Sequence, residues 1–300
     1  MIELIGSFAT VGGAHEVAAE RIAVILDRYQ EQPSILDQQL EAMVMPLLLA
    51  VREVARKKAP RDMLPHACRV MYCLCKVRGF KTVVKFVPHE VADLEPLVQL
   101  LASLDAADHG AWQMAYALMV WLSMLVMVPF DLSIIDSSTI QPPPAPSAPV
   151  DISDDAAPAA PRKPLTLVAS LERLAHTYLP STGPARDAAA ILLARLLTRP
   201  GLQPQLAEFI TWGGRELAAG RAADEGAGIA TCLMVGIYTT LANIFKLGHR
   251  SELLPQVCAH PVTTLSPPCS RHVSPPCVIT TRHHGSCRCS ASSPQTARRC

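Results

Sequence analysis

Nine helix-length stretches of this chain place apolar residues at helical spacing, and none shows the sustained alternation of a sheet strand. They run over Glu16–Tyr29, Ile35–Lys58, Met63–Val77, Val91–Leu104, Ala111–Val128, Leu165–Leu179, Pro184–Arg199, Pro204–Ala219 and Gly228–Leu247. Proline opens several of them and glycine follows others. Pro184 and Pro204 stand where a helix begins, and Gly220 and Gly248 where one stops. Alanine and leucine dominate the apolar set, aromatics are only 5%, and both dominant residues are strong helix formers. Short connectors between such segments predict successive helical hairpins. Pro46 removes a backbone donor inside its segment and predicts a bend there.

ARDAAAILLARLL, at Ala185–Leu197, has the small residues that let helices approach closely and Leu/Ile rows that would face a neighbouring pair. That is the pattern of the second helix of a HEAT-type unit, and such repeats are degenerate at about 40 residues each. The expected architecture is therefore all-α, a HEAT/armadillo-like α-solenoid.

Composition changes twice along the chain. From Ser137 to Lys163, seven prolines fall in a stretch with no aromatic residue and little large aliphatic content. It cannot bury enough apolar area to offset its ordering entropy and reads as a disordered spacer, with PPPAP at Pro142–Pro146 as a conceivable ligand for a proline-binding groove. After about Val257 the chain is rich in Cys, Ser, Pro, His and Arg and has no Asp, Glu or Lys. This tail has no helical period and reads as low-complexity sequence, such as translation in another frame or through an unspliced segment would produce. The expected organisation is helical repeats over 1–136, a Pro-rich linker over 137–164, helical repeats over 165–256 and the aberrant tail over 257–300.

The net charge of +1 conceals an asymmetry. Without the five tail arginines, 22 basic residues face 26 acidic ones, so the body stands at −4. With no basic stripe interleaved with aromatics, nucleic acid is not an expected partner. Cys68, Cys73, Cys75 and Cys232 lie in helix-like apolar segments and read as buried thiols. No secretory signal is expected in Met1–Val11, and a reducing compartment follows.

Candidate chemistry is sparse. His283, His284, Cys287 and Cys289 could supply four zinc ligands, but their spacing is not that of a paired knuckle. Asp93 stands where a zinc-binding HExxH needs its second histidine, and no phosphate loop frames Gly12–Gly13 or Gly213–Gly214, which read as loop or helix-end glycines. Cys73 and Cys75 diverge by about 200° on a helix and are not a redox pair. Lone His66 and His89, and the linker carboxylates Asp154 and Asp155, lack a constellation. No catalytic, cofactor-binding or metal-binding residue is expected, and no cofactor. What remains is a surface. Lys76, Arg78, Lys81 and Lys85 form a local basic group just before the acidic group Glu90, Asp93 and Glu95.

Five phrases then narrow the class. YQEQPSILD (Tyr29–Asp37), KVRGFKTVVKFVPHEVADLEPL (Lys76–Leu97), WLS with PFDLS (Trp121–Ser133), ARDAAAILLARLLTRP (Ala185–Pro200) and IFKLGHRSELLP (Ile244–Pro255) resemble, in that order, the N-terminal part of the tubulin-folding cofactor D family. The resemblance implies a cytoplasmic, cytoskeleton-associated chaperone and scaffold with HEAT-type repeats and no active site of its own. Its implied partners are β-tubulin, the tubulin cofactors C and E, and an Arf-like small GTPase. Its implied role is assembly and disassembly of the αβ-tubulin heterodimer, with GTP hydrolysed on tubulin. Family members are much longer, so a truncated fragment is expected. After its first Trp the chain has Gln113, Met114 and Ala115 where the family motif carries charge. Two rivals stand beside this reading. One is a single-span membrane protein anchored by the uncharged Ala111–Val128, whose flanks offer no Lys/Arg orientation signal. The other is a generic HEAT-repeat adaptor.

Overall fold

The computed structural model describes residues 15–137, 165–222 and 228–248, together with the single positions Glu3, Ile5 and Leu254. The described residues contain no strand. Their longer helices are α1 (His15–Asp27), α2 (Leu40–Ala55), α3 (Leu64–Arg78), α4 (Leu94–Ala102), α5 (Trp112–Leu125), α6 (Leu167–Tyr178), α7 (Pro184–Leu197), α8 (Gln203–Ala222) and α9 (Gly228–Leu247). Short 3-10 turns, Pro33–Gln39, Arg61–Met63 and Val91–Asp93, lead into α2, α3 and α4.

The helices form two rows. In one, α1 packs on α3, α3 on α5, α5 on α7, and α7 on α9. In the other, α2 packs on α4 and α4 on α6, and α8 meets α6 through Phe209 and Trp212 against His176. Each member of the second row also packs on the helix that follows it, giving the hairpins α2–α3, α4–α5, α6–α7 and α8–α9. This is the two-layer stack of an α-solenoid, each hairpin touching chiefly its neighbours. The pairs begin at Leu40, Leu94, Leu167 and Gln203. That uneven spacing is why the sequence shows no strict period.

The middle of the first row is the core. Leu118, Met119, Leu122 and Leu125 of α5 are fully buried, and Trp121 nearly so. In α7 five alanines (Ala185, Ala188, Ala189, Ala190, Ala194) and four leucines (Leu192, Leu193, Leu196, Leu197) are buried. The alanines let α5, α6, α8 and α9 all reach α7, so a helix apolar on every side is covered on every side. Across α3 and α5 the ring of Tyr72 meets Trp112 edge-on at 4.7 Å and Tyr116 at 5.3 Å.

Local signals decide the ends. Gly79 closes α3 at φ 89°, a conformation open to glycine. Pro184 starts α7 at N1. Pro46 sits inside α2, which runs unbroken from Leu40 to Ala55. The glycine readings need correction. Gly213 and Gly214 lie inside α8, not at a loop or helix end, while Gly220 falls in its last turn, close to where the sequence places the stop. A Cβ on Gly213 would stand 3.1 Å from the Ile237 side chain, and one on Gly220 2.9 Å from Met234 Sδ. Gly213 and Gly220 let α9 lie close to α8, whereas a Cβ on Gly214 would meet nothing within 4 Å. Cys68, Cys73 and Cys75 are buried as expected, while Cys232 is only half-buried.

The proline-rich stretch over 138–164 and the tail over 257–300 lie outside the described residues. The described ends of the proline-rich stretch are held together. Asp136 Oδ2 accepts from Leu167 N at 2.7 Å, and Glu95 Oε1 accepts from Ser137 N at 2.6 Å. Thr166 caps α6 by accepting from Ala169 N. The uncharged α5 spans 14 residues and is enclosed by its neighbours. The segments Pro33–Ala55 and Ala230–Leu247 are long and apolar enough to cross a membrane by length and composition alone.

Gly236 offers a sharp check on the packing. A Cβ there would sit 2.6 Å from the carbonyl oxygen of Leu179. Alanine in an exposed helix interior normally gains about 1 kcal/mol over glycine. Here Gly236→Ala is expected to destabilise the chain by about 1–3 kcal/mol through overpacking against backbone. Urea denaturation would check the sign, and a stabilised variant would show that α9 does not pack on the end of α6 as described.

Candidate interaction surface

The two charged groups singled out in the sequence do not face each other. Each is used to join neighbouring elements. Arg52, in the last turn of α2, reaches Glu90 Oε1 through Nη1 at 3.1 Å and Asp93 Oδ2 through Nη2 at 2.6 Å. Arg56, one turn on, places Nη2 2.6 Å from Asp93 Oδ1 and 3.5 Å from Glu90 Oε2. The Asp93 side chain is 2% exposed, so a nearly buried carboxylate sits between two guanidiniums. Glu95 is taken by Ser137 N. The acidic group therefore seams α2 to the start of α4, and α4 to Ser137 at the edge of the proline-rich stretch.

The basic group divides. Lys76 Nζ pairs with Asp27 at 3.2 Å, and Arg78 forks onto Asp37, with Nη2 2.8 Å from Oδ2. Hydrogen bonds from Gln30 and then Lys76 hold the Asp27 carboxyl below its usual range, and Arg78 does the same for Asp37. These exposed pairs contribute little each. They do fix the end of α3 against α1 and against the turn Pro33–Gln39. Lys81 and Lys85 point into solvent.

A second set of joints escaped sequence reading. α5 has no charged side chain with which to satisfy its own C-terminal carbonyls. They are met from α7 and the turn after it. Arg195 Nη1 donates to Ser123 O at 3.2 Å and to Ser123 Oγ at 2.9 Å. Arg199 donates through Nη1 to Val126 O and Val128 O and through Nη2 to Phe130 O. Burial lowers the pKa of both guanidiniums. The only hint in the sequence is that ARDAAAILLARLLTRP puts both arginines on one helical edge, four residues apart.

The isolated residues resolve simply. Burial pushes the Cys68 and Cys75 thiols up to about 12, so neither is a thiolate at neutral pH. His66 stacks on His15 at 6.5 Å. His89 is exposed. His283, His284, Cys287, Cys289, Asp154 and Asp155 lie outside the described residues. Among the described residues no group of three or more His, Cys, Asp or Glu is placed to hold a metal ion. Between α6 and α8 an unexpected groove is floored by His176, Phe209 and Trp212 and edged by Glu172, Glu208, Arg173 and Arg215. Burial drives the His176 pKa down to about 4. Burial, then the charge of Glu208, raises that of Glu172.

The phrases that carry the resemblance are thus bonded to each other. Asp37 of YQEQPSILD meets Arg78 of KVRGF. Trp121 of WLS donates Nε1–H to Pro88 O at 3.1 Å. Phe130 of PFDLS accepts from Arg199 of LLTRP. Residues 26–217, from the end of α1 into α8, match the family model described as tubulin-specific chaperone D-like, ARM repeat. The chain belongs to this family. It is similar to tubulin-specific chaperone D of Dictyostelium discoideum, at 24% identity over 326 residues covering 78% of this chain and 21% of that protein. It is also similar to tubulin-folding cofactor D of Schizosaccharomyces pombe, at 25% identity over 173 residues covering 57% of this chain and 12% of that protein. The chain thus spans about a fifth or less of the length of these relatives. No solved structure matches it.

Two measurements test these joints. Asp93→Ala leaves Arg52, 11% exposed, without its nearly buried partner, and is expected to destabilise the chain by about 3 kcal/mol. Adding Arg52→Met should recover much of that loss in a double-mutant cycle. An additive cycle would mean that the seam contributes no coupling. For His176 the sign follows from the two states. Unfolded, it protonates near 6.5, and folded near 4. Between these values the unfolded chain binds the extra proton, so this group removes stability as pH falls from 6.5 toward 4. His176→Phe should therefore narrow the loss of stability between pH 7 and 4.5 relative to the parent, measured by urea midpoints. An unchanged difference would place His176 in water.

Proposed function

We propose that the chain is a non-enzymatic tubulin chaperone and scaffold of the cofactor D type, acting in the cytoplasm in connection with the cytoskeleton. In this reading it binds β-tubulin and takes part in assembling and dissociating the αβ heterodimer with cofactors C and E and an Arf-like small GTPase. Any GTPase activation belongs to that assembly. The observation that carries the reading is the family match over residues 26–217, which begins at the end of α1 and continues into α8.

The geometry supports a binding role of this type. The stack offers long edges of helix ends and turns, and its strongest charges are committed to inter-repeat seams instead of converging on one reacting atom. Partners of such stacks are held by surface complementarity, with a few anchors supplying most of the affinity. Because the chain spans so small a part of its relatives, partial tubulin contact without a complete chaperone cycle is the expected behaviour.

The experiment is a pull-down of purified chain with αβ-tubulin, run beside an assay of heterodimer dissociation. Weak, saturable capture of tubulin without dissociation is expected. Efficient dissociation by this chain alone would place the working surface within these repeats. Absence of any capture at tens of micromolar would sink the tubulin reading and favour a generic repeat adaptor.

A further inference from the structure

Where the C-terminal ends of α5, α7 and α9 come together, the surface opens into a groove of about 660 Å³. That is room for several side chains of a bound peptide. Its rim exposes several large apolar side chains. Met127 is 49% exposed, Phe130 57% and Leu247 52%, and Pro129, Val168 and Leu202 continue the lining. Ile134 and Leu165, 80% and 43% exposed, stand just beyond it in the chain. Single exposed aliphatics need no explanation, but several gathered at one groove do.

The same groove is lined by Arg195 and Arg199. The hydrogen bonds of Arg195 all leave through Nη1, toward Ser123 and Met124 Sδ. Those of Arg199 leave through Nη1 and Nη2, toward Val126, Val128 and Phe130. Among the described residues neither makes an ion pair with a carboxylate. Asp131, the one acidic residue of the lining, caps the next turn by accepting from Ser133 N at 2.9 Å and acts on Arg199 only at longer range. Among the described residues Arg195 makes no hydrogen bond through Nε–H or Nη2, the side-on fork that takes a carboxylate in two parallel bonds, and Arg199 makes none through Nε–H. Two half-buried positive charges are thus held by neutral carbonyls, in a rim that would further exclude water once covered.

We infer that this groove docks an extended segment of a partner protein in which carboxylate side chains stand beside large apolar ones. The carboxylates bridge to the outer fork of Arg195 and to the Nε–H of Arg199, and the apolar side chains cover Met127, Phe130 and Leu247. Two cations with no lysine among the lining and an aliphatic rim do not suit a polyanion backbone, which favours the peptide over a nucleic acid. This inference does not rest on tubulin being the partner.

A random dodecapeptide library displayed on phage and panned on the full 300-residue chain supplies the probe. Enriched sequences should combine Asp or Glu with Leu, Ile or Phe. A fluorescein-labelled peptide of the enriched sequence should lose at least about ten-fold in affinity by anisotropy when its acids become Asn and Gln. It should lose as much on Phe130→Glu, and separately on Leu247→Glu; both side chains are exposed, so at least one variant should keep the parent melting curve. Enrichment of acid-free peptides, no enrichment at all, or affinity indifferent to a folded groove variant would overturn the proposal. So would binding that emerges only on deleting residues 141–161, which would make the chain's own proline-rich stretch the occupant. A dimer in sedimentation that Phe130→Glu dissolves would make it a second copy of this chain.

Discussion

The end of α5 is satisfied from the repeat that follows. This helix carries no charged side chain and stands in the middle of the first row, so the carbonyls at and just after its end have no charged donor on the helix itself. Arg195 and Arg199 supply the donors. The arrangement makes the α4–α5 and α6–α7 hairpins interdependent. Unpacking α7 would expose its alanine-lined face and at the same time remove the donors to these half-buried carbonyls.

The same logic recurs at smaller scale along the stack. Arg52 and Arg56 converge on Asp93 across α2 and α4, Arg78 forks onto Asp37, and Trp121 reaches back to Pro88. In each case a polar side chain bridges elements that apolar packing alone would leave free to slide. Helix rows of leucine and alanine have many near-equivalent ways to nest, because ridges and grooves repeat every three or four residues. A charged or hydrogen-bonded contact at one height selects among them. Several of the charged side chains among the described residues thus set register, while Lys81 and Lys85, the aromatic groove between α6 and α8, and the rim around Phe130 are among the features that face outward.

Helix positions were legible because each helix has a full apolar face and ordinary punctuation. α3, α5, α6, α7 and α9 begin and end within a few residues of where spacing places them. The glycines of α8 were not legible. Gly213 reads as a loop signal in isolation, and only the proximity of Ile237 shows that it is there for close approach. The charged groups misled for a similar reason. Lys76–Lys85 and Glu90–Glu95 are neighbours in sequence, yet their partners lie on α1, α2 and the turn before α2, tens of residues away.

By itself the sequence determined the class of fold and the family. Hydrophobic period, the alanine–leucine bias and the five ordered phrases are local properties, and local order is what a single chain displays. Only the tertiary structure decided which polar groups are consumed and which remain. Whether an arginine is a joint or a docking point depends on what stands within about 3 Å of its guanidinium, and in a stack that neighbour comes from the next repeat. Arg195 shows both halves of this: its helix was readable in the alanines around it, while its half-buried charge, held by the carbonyl of Ser123 and facing an open groove, was not.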